Sequence, residues 1–154
     1  MTWYFAYGSN MSRALMRRLC PQAEPVGTAT LGGYRFIITT DGYASIVPQA
    51  GGSVYGVLWK LSARDIAALN AYEGLDSGLY TMATLPVQRE GRRLPALVYI
   101  ARTCSRGRPK PGYLDLVLEA ARAWKLPDSY VRSLARWAPA RWRGTRAADS
   151  GEIG

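Results

Sequence analysis

The sequence contains no histidine, 11 acidic side chains and two cysteines. A Ser-His-Asp triad, a Cys-His pair, an imidazole metal site and an imidazole base are therefore excluded. Proton transfer, if the protein performs it, falls to carboxylates, lysine, tyrosine or the backbone. Cys20 and Cys104 are far apart and not in metal-like spacing, so both read as reduced thiols without a catalytic role. Most of the carboxylates have inexpensive structural explanations. Asp41 and Asp76 sit in Gly-containing turns, Asp65 and Asp128 at helix starts, Glu24 in a Pro-flanked loop and Glu90 in a hairpin turn. Asp115 and Glu119 fall on a polar helix face, and Asp149 and Glu152 lie near the end of the chain.

Glu73 is different. Ile66, Leu69, Asn70 and Glu73 share one face of a helix starting at Ser62, so the acid points where the apolar residues point. It also stands at the helix C-terminus, where the macrodipole disfavours negative charge. Burial and dipole both raise its pKa, toward a base that works near neutral pH. The competing reading is a structural acid bonded to a buried backbone group or an arginine. A second candidate is the opening stretch FAYGSN: a strand ending at Tyr7, then Gly8, Ser9 and Asn10 leading into a helix. Such a turn exposes backbone N–H groups, Gly8 permits close approach, and Ser9 and Asn10 add side-chain donors for a carboxylate or an oxyanion.

The elements that must position these groups are legible in outline. Residues 2 to 7 read as a strand, and the run from Ser12 as a short helix with Asn10 or Ser12 as N-cap. Between Val26 and Leu61, four β-rich runs (VGTATL, YRFIITT, ASIVP and SVYGVLWKL) are separated by Gly-Gly and Asp-Gly signals and read as antiparallel strands. Ser62 and Asp65 form a capping-box-like start for the next helix, and Gly74 its stop. YTMATLPVQ and LPALVYIAR read as two strands joined around Glu90, Gly91 and Arg92. A helix through Tyr113, Val117, Ala120, Ala121 and Trp124 follows, and a last one runs from Pro127 and Asp128 to about Trp137. The pattern implies an α+β domain on a mixed, strongly curved sheet, with a small barrel as one form of it. Residues 1–138 read as this domain and 139–154 as a basic tail expected to be partly disordered.

With 48% hydrophobic residues, a formal charge of +9 and no long apolar run or signal-like N-terminus, a cytoplasmic protein is expected. The arginine clusters are scattered over helices, loops and tail without a recognition-helix, RNP-like or zinc-finger pattern. A basic solvated surface is the expectation, and nucleic acid is not expected as a partner.

Taken together, YFAYGSNM, AYEGLDSGLY and the β-rich segment between them resemble the γ-glutamylcyclotransferase-like family, with its AIG2-like fold. The likeness spans roughly residues 3 to 126. It implies a small mixed β-barrel flanked by helices, and an intramolecular acyl transfer in which the α-amine of a γ-glutamyl group attacks its own side-chain amide. The products are 5-oxoproline and an amine or amino acid. Glu73 matches the family's catalytic glutamate; Tyr4, Phe5, Ala6, Tyr7, Gly8 and Ser9 match its substrate-binding loop, and Asn10 completes the turn. Tyr113 matches a tyrosine lining the substrate site of the glutathione-related members. The implied partner is a small γ-glutamyl molecule, with no metal and no cofactor. Members selective for glutathione usually carry Tyr-Gly-Ser before an apolar residue, and Asn10 departs from that pattern. Two alternatives stand beside this reading. One is removal of a γ-glutamyl protecting group in antibiotic assembly, suggested by an Arg- and Ala-rich composition resembling that of a high-GC bacterium. The other is a non-enzymatic module using the basic surface. Oligomeric state is not specified by the sequence.

Overall fold

The computed structural model describes residues 1–139. The proposed tail beyond that point lies outside the described residues. Five strands form a closed barrel in the order β1-β3-β2-β4-β5, where β1 is Thr2–Ala6, β2 Glu24–Ile38, β3 Ala44–Leu61, β4 Tyr80–Arg89 and β5 Arg92–Ala101. Four neighbouring pairs are antiparallel, and the parallel pair β1–β5, in register at Tyr4↔Leu97, closes the ring. Among the described residues there are also four α-helices: α1 Arg13–Leu19, α2 Ala63–Tyr72, α3 Tyr113–Ala123 and α4 Asp128–Ala135. The mixed barrel with flanking helices is thus the expected architecture.

One expectation is corrected. The four β-rich runs between Val26 and Leu61 are two long strands, β2 and β3, paired along their length. The Gly-Gly pairs bend the ribbon instead of ending it: the register shifts between Gly32 and Tyr34, and Gly33 has φ +85°. Between the Gly32–Ser53 and Tyr34–Pro48 pairs β3 carries residues 49–52 opposite the single Gly33, and Val26 is a one-residue bulge between the Pro25–Trp59 and Gly27–Leu58 pairs. Both irregularities increase the local twist and help so few strands curl into a barrel. The Asp41-Gly42 signal, by contrast, is a true turn between β2 and β3. The β4–β5 hairpin closes through Glu90 and Gly91, both at positive φ (51° and 77°), as a two-residue hairpin turn requires.

The hydrophobic core includes Phe5, Leu31, Ile46, Val57, Leu58 and Val98, all buried, and α3 adds Leu114, Val117 and Ala121 to it. Trp124, at the end of α3, ties that helix to the N-terminal segment. Its Nε1 donates to the Met11 carbonyl at 2.7 Å, its ring lies edge-on to Trp59, and the Arg13 guanidinium stacks 3.7 Å above it. At α4 the expected cap moves by one residue: Pro127 is the N-cap and Asp128 the first helical position, a placement where its charge favours the helix dipole.

Candidate active site

The strand-to-helix passage after β1 is where the site begins. Gly8 leads into a 3-10 turn over Ser9–Met11, and Ser12 then caps α1, its hydroxyl accepting from the Leu15 N–H. Of the two N-cap candidates Ser12 takes the role, which leaves Asn10 free for another. Asn10 is 4% exposed, and its Nδ2 donates to the Tyr4 hydroxyl at 2.9 Å and to Glu73 Oε2 at 3.1 Å.

Glu73 arrives from the other side. The predicted capping box is present, with the Ser62 hydroxyl accepting from the Asp65 N–H and the Asp65 carboxylate accepting from the Ser62 N–H. This fixes the phase of α2, which buries Leu69 and turns Asn70 and Glu73 toward the barrel. Glu73 is the C-cap, and Gly74 at φ +69° ends the helix just beyond it. Burial raises the carboxyl pKa to about 7, opposed by the hydrogen bond from Asn10. The Asn70 side chain accepts a bond of 2.6 Å from the Tyr99 hydroxyl.

Tyr4, Asn10, Glu73 and Tyr99 line a cavity of about 420 Å³ at the barrel rim, bounded by β1, the following turn, α1, the end of α2, β5 and the start of α3. Tyr4, Phe5, Tyr7, Gly8, Ser9, Asn10, Glu73 and Tyr113 all line it. Ala6 does not; it is buried within the strand, paired with Val57. Gly8 has no room for a side chain, since a Cβ there would lie 2.9 Å from the Tyr113 hydroxyl and 3.2 Å from Ala44 Cβ. A separate cleft is lined by Arg35, Arg106, Arg136 and Trp137.

Five tyrosine hydroxyls in the cavity divide into two sets. Those of Tyr7, Tyr80 and Tyr99 donate their protons to Tyr99 O, Ala44 O and Asn70 Oδ1. Those of Tyr4 and Tyr113 instead accept, from Asn10 Nδ2 and from the Ala44 N–H at 3.2 Å, so each keeps its own proton for a guest. Burial raises both pKa values, Tyr113 to about 12, so both remain neutral donors. Tyr99, Tyr43 and Ala44 were not identifiable as lining residues from sequence. Around Tyr99 the residues Val98, Tyr99 and Ala101 are all buried, so alternation marks no inward face there.

Among the described residues, one cavity thus brings together a carboxylate whose pKa is raised by burial, two O–H donors and a glycine turn, with no imidazole. A family model, "Gamma-glutamyl cyclotransferase, AIG2-like", matches residues 4–124, and the chain belongs to that family. Curated relatives agree. A protein of Mus musculus named gamma-glutamylcyclotransferase is 27% identical over 92% of this chain and 81% of its own length. One of the same name from Homo sapiens is 26% identical with the same coverage. Among solved structures, one titled "Gamma-glutamyl cyclotransferase" superposes with a TM-score of 0.84 at 25% identity, covering 95% of this chain and 93% of that one.

Proposed function

We propose that the cavity cyclises γ-glutamyl amides, with Glu73 as the base. The observation that carries the reading is the placement of Glu73: a partly buried carboxylate with a pKa near 7 in a cavity large enough for a γ-glutamyl unit. The α-ammonium of the substrate loses a proton to Glu73, and the free amine nitrogen attacks the γ-carbonyl carbon. A five-membered ring forms, and the carbonyl oxygen takes up negative charge. As the carbon–nitrogen bond of the original amide breaks, the proton held by Glu73 passes to the departing nitrogen. The carboxylate so freed takes the second proton from the ring nitrogen and gives it to the released amine, which leaves as an ammonium. The products are 5-oxoproline and a free amine or amino acid.

Both reacting groups belong to one molecule, so the protein's task is to hold a folded, near-attack conformation. The aromatic walls suit that task. Tyr4 and Tyr113 supply O–H donors, and the amides of the Gly8–Asn10 turn supply N–H donors, for the developing oxyanion and the substrate α-carboxylate. Ala6 belongs to the strand that carries this loop and has no direct contact in this scheme. Glu73 is the only carboxylate lining the cavity among the described residues, so a polycationic leaving group such as an aminoglycoside would find no acidic rim. Buried Cys20 and exposed Cys104 are both free thiols, which supports a reducing, cytoplasmic setting.

The test is 5-oxoproline release from a panel of γ-glutamyl amino acids and γ-glutamyl amines. The wild type should turn over members of the panel, and Glu73→Gln should lower kcat by about 10²- to 10⁴-fold, the usual contribution of a positioned base. Near wild-type turnover by the variant would remove Glu73 from the mechanism.

A further inference from the structure

The outer part of the same cavity has a composition of its own. Five large apolar side chains are conspicuously exposed among the described residues, and three of them, Tyr72 (49%), Leu79 (37%) and Leu116 (38%), line this one cavity. They come from three different segments: the last turn of α2, the loop before β4 and the first turn of α3. Apolar side chains left open to water around one opening mark a surface meant to be covered by a ligand. The only cation lining the cavity among the described residues is Arg18, in the last turn of α1, and it is exposed. It forms no ion pair with any described acid. A helix C-terminus alone would explain a basic residue there. Arg17, however, occupies the same turn and does not line the cavity.

We infer that Arg18 recognises a carboxylate on the leaving group, and that Tyr72, Leu79 and Leu116 receive an apolar side chain on that same group. The preferred substrate is thus a γ-glutamyl derivative of an apolar amino acid, not of a simple amine. The inference depends on the cyclisation reading above, because Glu73 sets which end of the substrate lies inward. With the γ-glutamyl α-amine at the partly buried carboxylate, the amide nitrogen and everything attached to it project toward the opening. A leaving amino acid carries its carboxylate two bonds from that nitrogen and its side chain from the same carbon, so a charged contact and an apolar contact are needed side by side. Arginine suits the first through its paired N–H donors. The second needs no specific shape, only apolar area to be removed from water.

The experiment compares γ-glutamyl-leucine, its counterpart lacking the carboxylate (γ-glutamyl-3-methylbutylamine) and γ-glutamylglycine, with the wild type, Arg18→Gln and the control Arg17→Gln. A charge-assisted hydrogen bond predicts that the wild type favours γ-glutamyl-leucine over the amine by about tenfold in kcat/KM, carried by KM. Arg18→Gln should bring that ratio close to one, and Arg17→Gln should leave it unchanged. γ-Glutamylglycine should be poorer than γ-glutamyl-leucine with all three proteins. Equal losses on both leucine-shaped substrates in Arg18→Gln would mean that Arg18 holds the glutamyl end, and would overturn the inference. So would an unchanged ratio, or equal rates for the glycine and leucine substrates. Failure of the wild type to release 5-oxoproline from any of the three would overturn the cyclisation reading and this inference with it, and is visible before any variant is made.

Discussion

If Glu73 is the base, as proposed, one proton links activity to stability. Its pKa in the folded protein is about 7, above its ordinary value of 4.5. Folding therefore takes up a proton between those two values. Stability falls as pH rises through that window, and the full penalty is present above about 7. Glu73→Gln removes the penalty while keeping an acceptor for Asn10. The variant should be more stable than the wild type at pH 8 by on the order of 2 kcal/mol, with the difference vanishing toward pH 4.5. Chemical denaturation of both proteins across that range checks it, and a less stable variant at pH 8 would contradict the burial argument. The same titration should appear as the acidic limb of kcat/KM, rising through a pH of about 7 as the carboxylate becomes a base. Asn10 opposes the shift by donating to the ionised form. Asn10→Ala should therefore move that limb to higher pH, a readout that mere loss of packing would not produce.

At the level of the elements, the question is what holds a carboxylate at the end of one helix against a turn at the end of a strand. The capping box at Ser62 and Asp65 sets the phase of α2, and therefore where Glu73 points. Ser62→Ala should cost about 1 kcal/mol, a fall of about 2–4 °C in Tm for a domain of this size. Gly56 plays the corresponding part for β1. A Cβ at Gly56 would lie 2.3 Å from the Ala6 carbonyl oxygen, a backbone atom that cannot swing aside. Gly56→Ala should destabilise by about 1–3 kcal/mol and, unlike Ser62→Ala, should lower activity out of proportion, because the displaced segment runs directly into Tyr7 and Gly8. Comparing the two variants by thermal melt and by kcat tests that asymmetry. The capping box was plain in the sequence because helix starts are written in local chemistry. So was the inward face bearing Glu73, since a 3.6-residue period is a local property too. The union of four β runs into two long strands was not, because a Gly-Gly pair reads the same whether it turns a chain or bulges it. The partners chosen decide, and they are distant in sequence. Tyr113 shows the same limit. It was reached only through a family resemblance, since its contacts with Gly8, Ala44 and Tyr43 are made across the fold.

On the scale of the whole molecule, a formal charge of +9 has to be reconciled with a small-molecule site. Net charge of this size admits nucleic-acid binding, but it also creates a field that draws small anions. The cavity favours the second use, since among the described residues its one acid is partly buried and its one cation is exposed. A γ-glutamyl amino acid carries two carboxylates and one ammonium, a net charge of about −1 at neutral pH, whereas a γ-glutamyl alkylamine is a neutral zwitterion. The field attracts the former and acts only weakly on the latter. Raising ionic strength from about 0.01 M to about 1 M shortens the screening length from about 30 Å to about 3 Å. Over that range KM for γ-glutamyl-leucine should rise severalfold, while that for γ-glutamyl-3-methylbutylamine should change little. In Arg18→Gln the salt effect on γ-glutamyl-leucine should shrink but persist, because the remaining positive charge still contributes at long range. Its complete disappearance would place the whole effect in one side chain. An equal salt effect on both substrates would show that the basic surface plays no part in choosing the substrate and has to be explained by another partner.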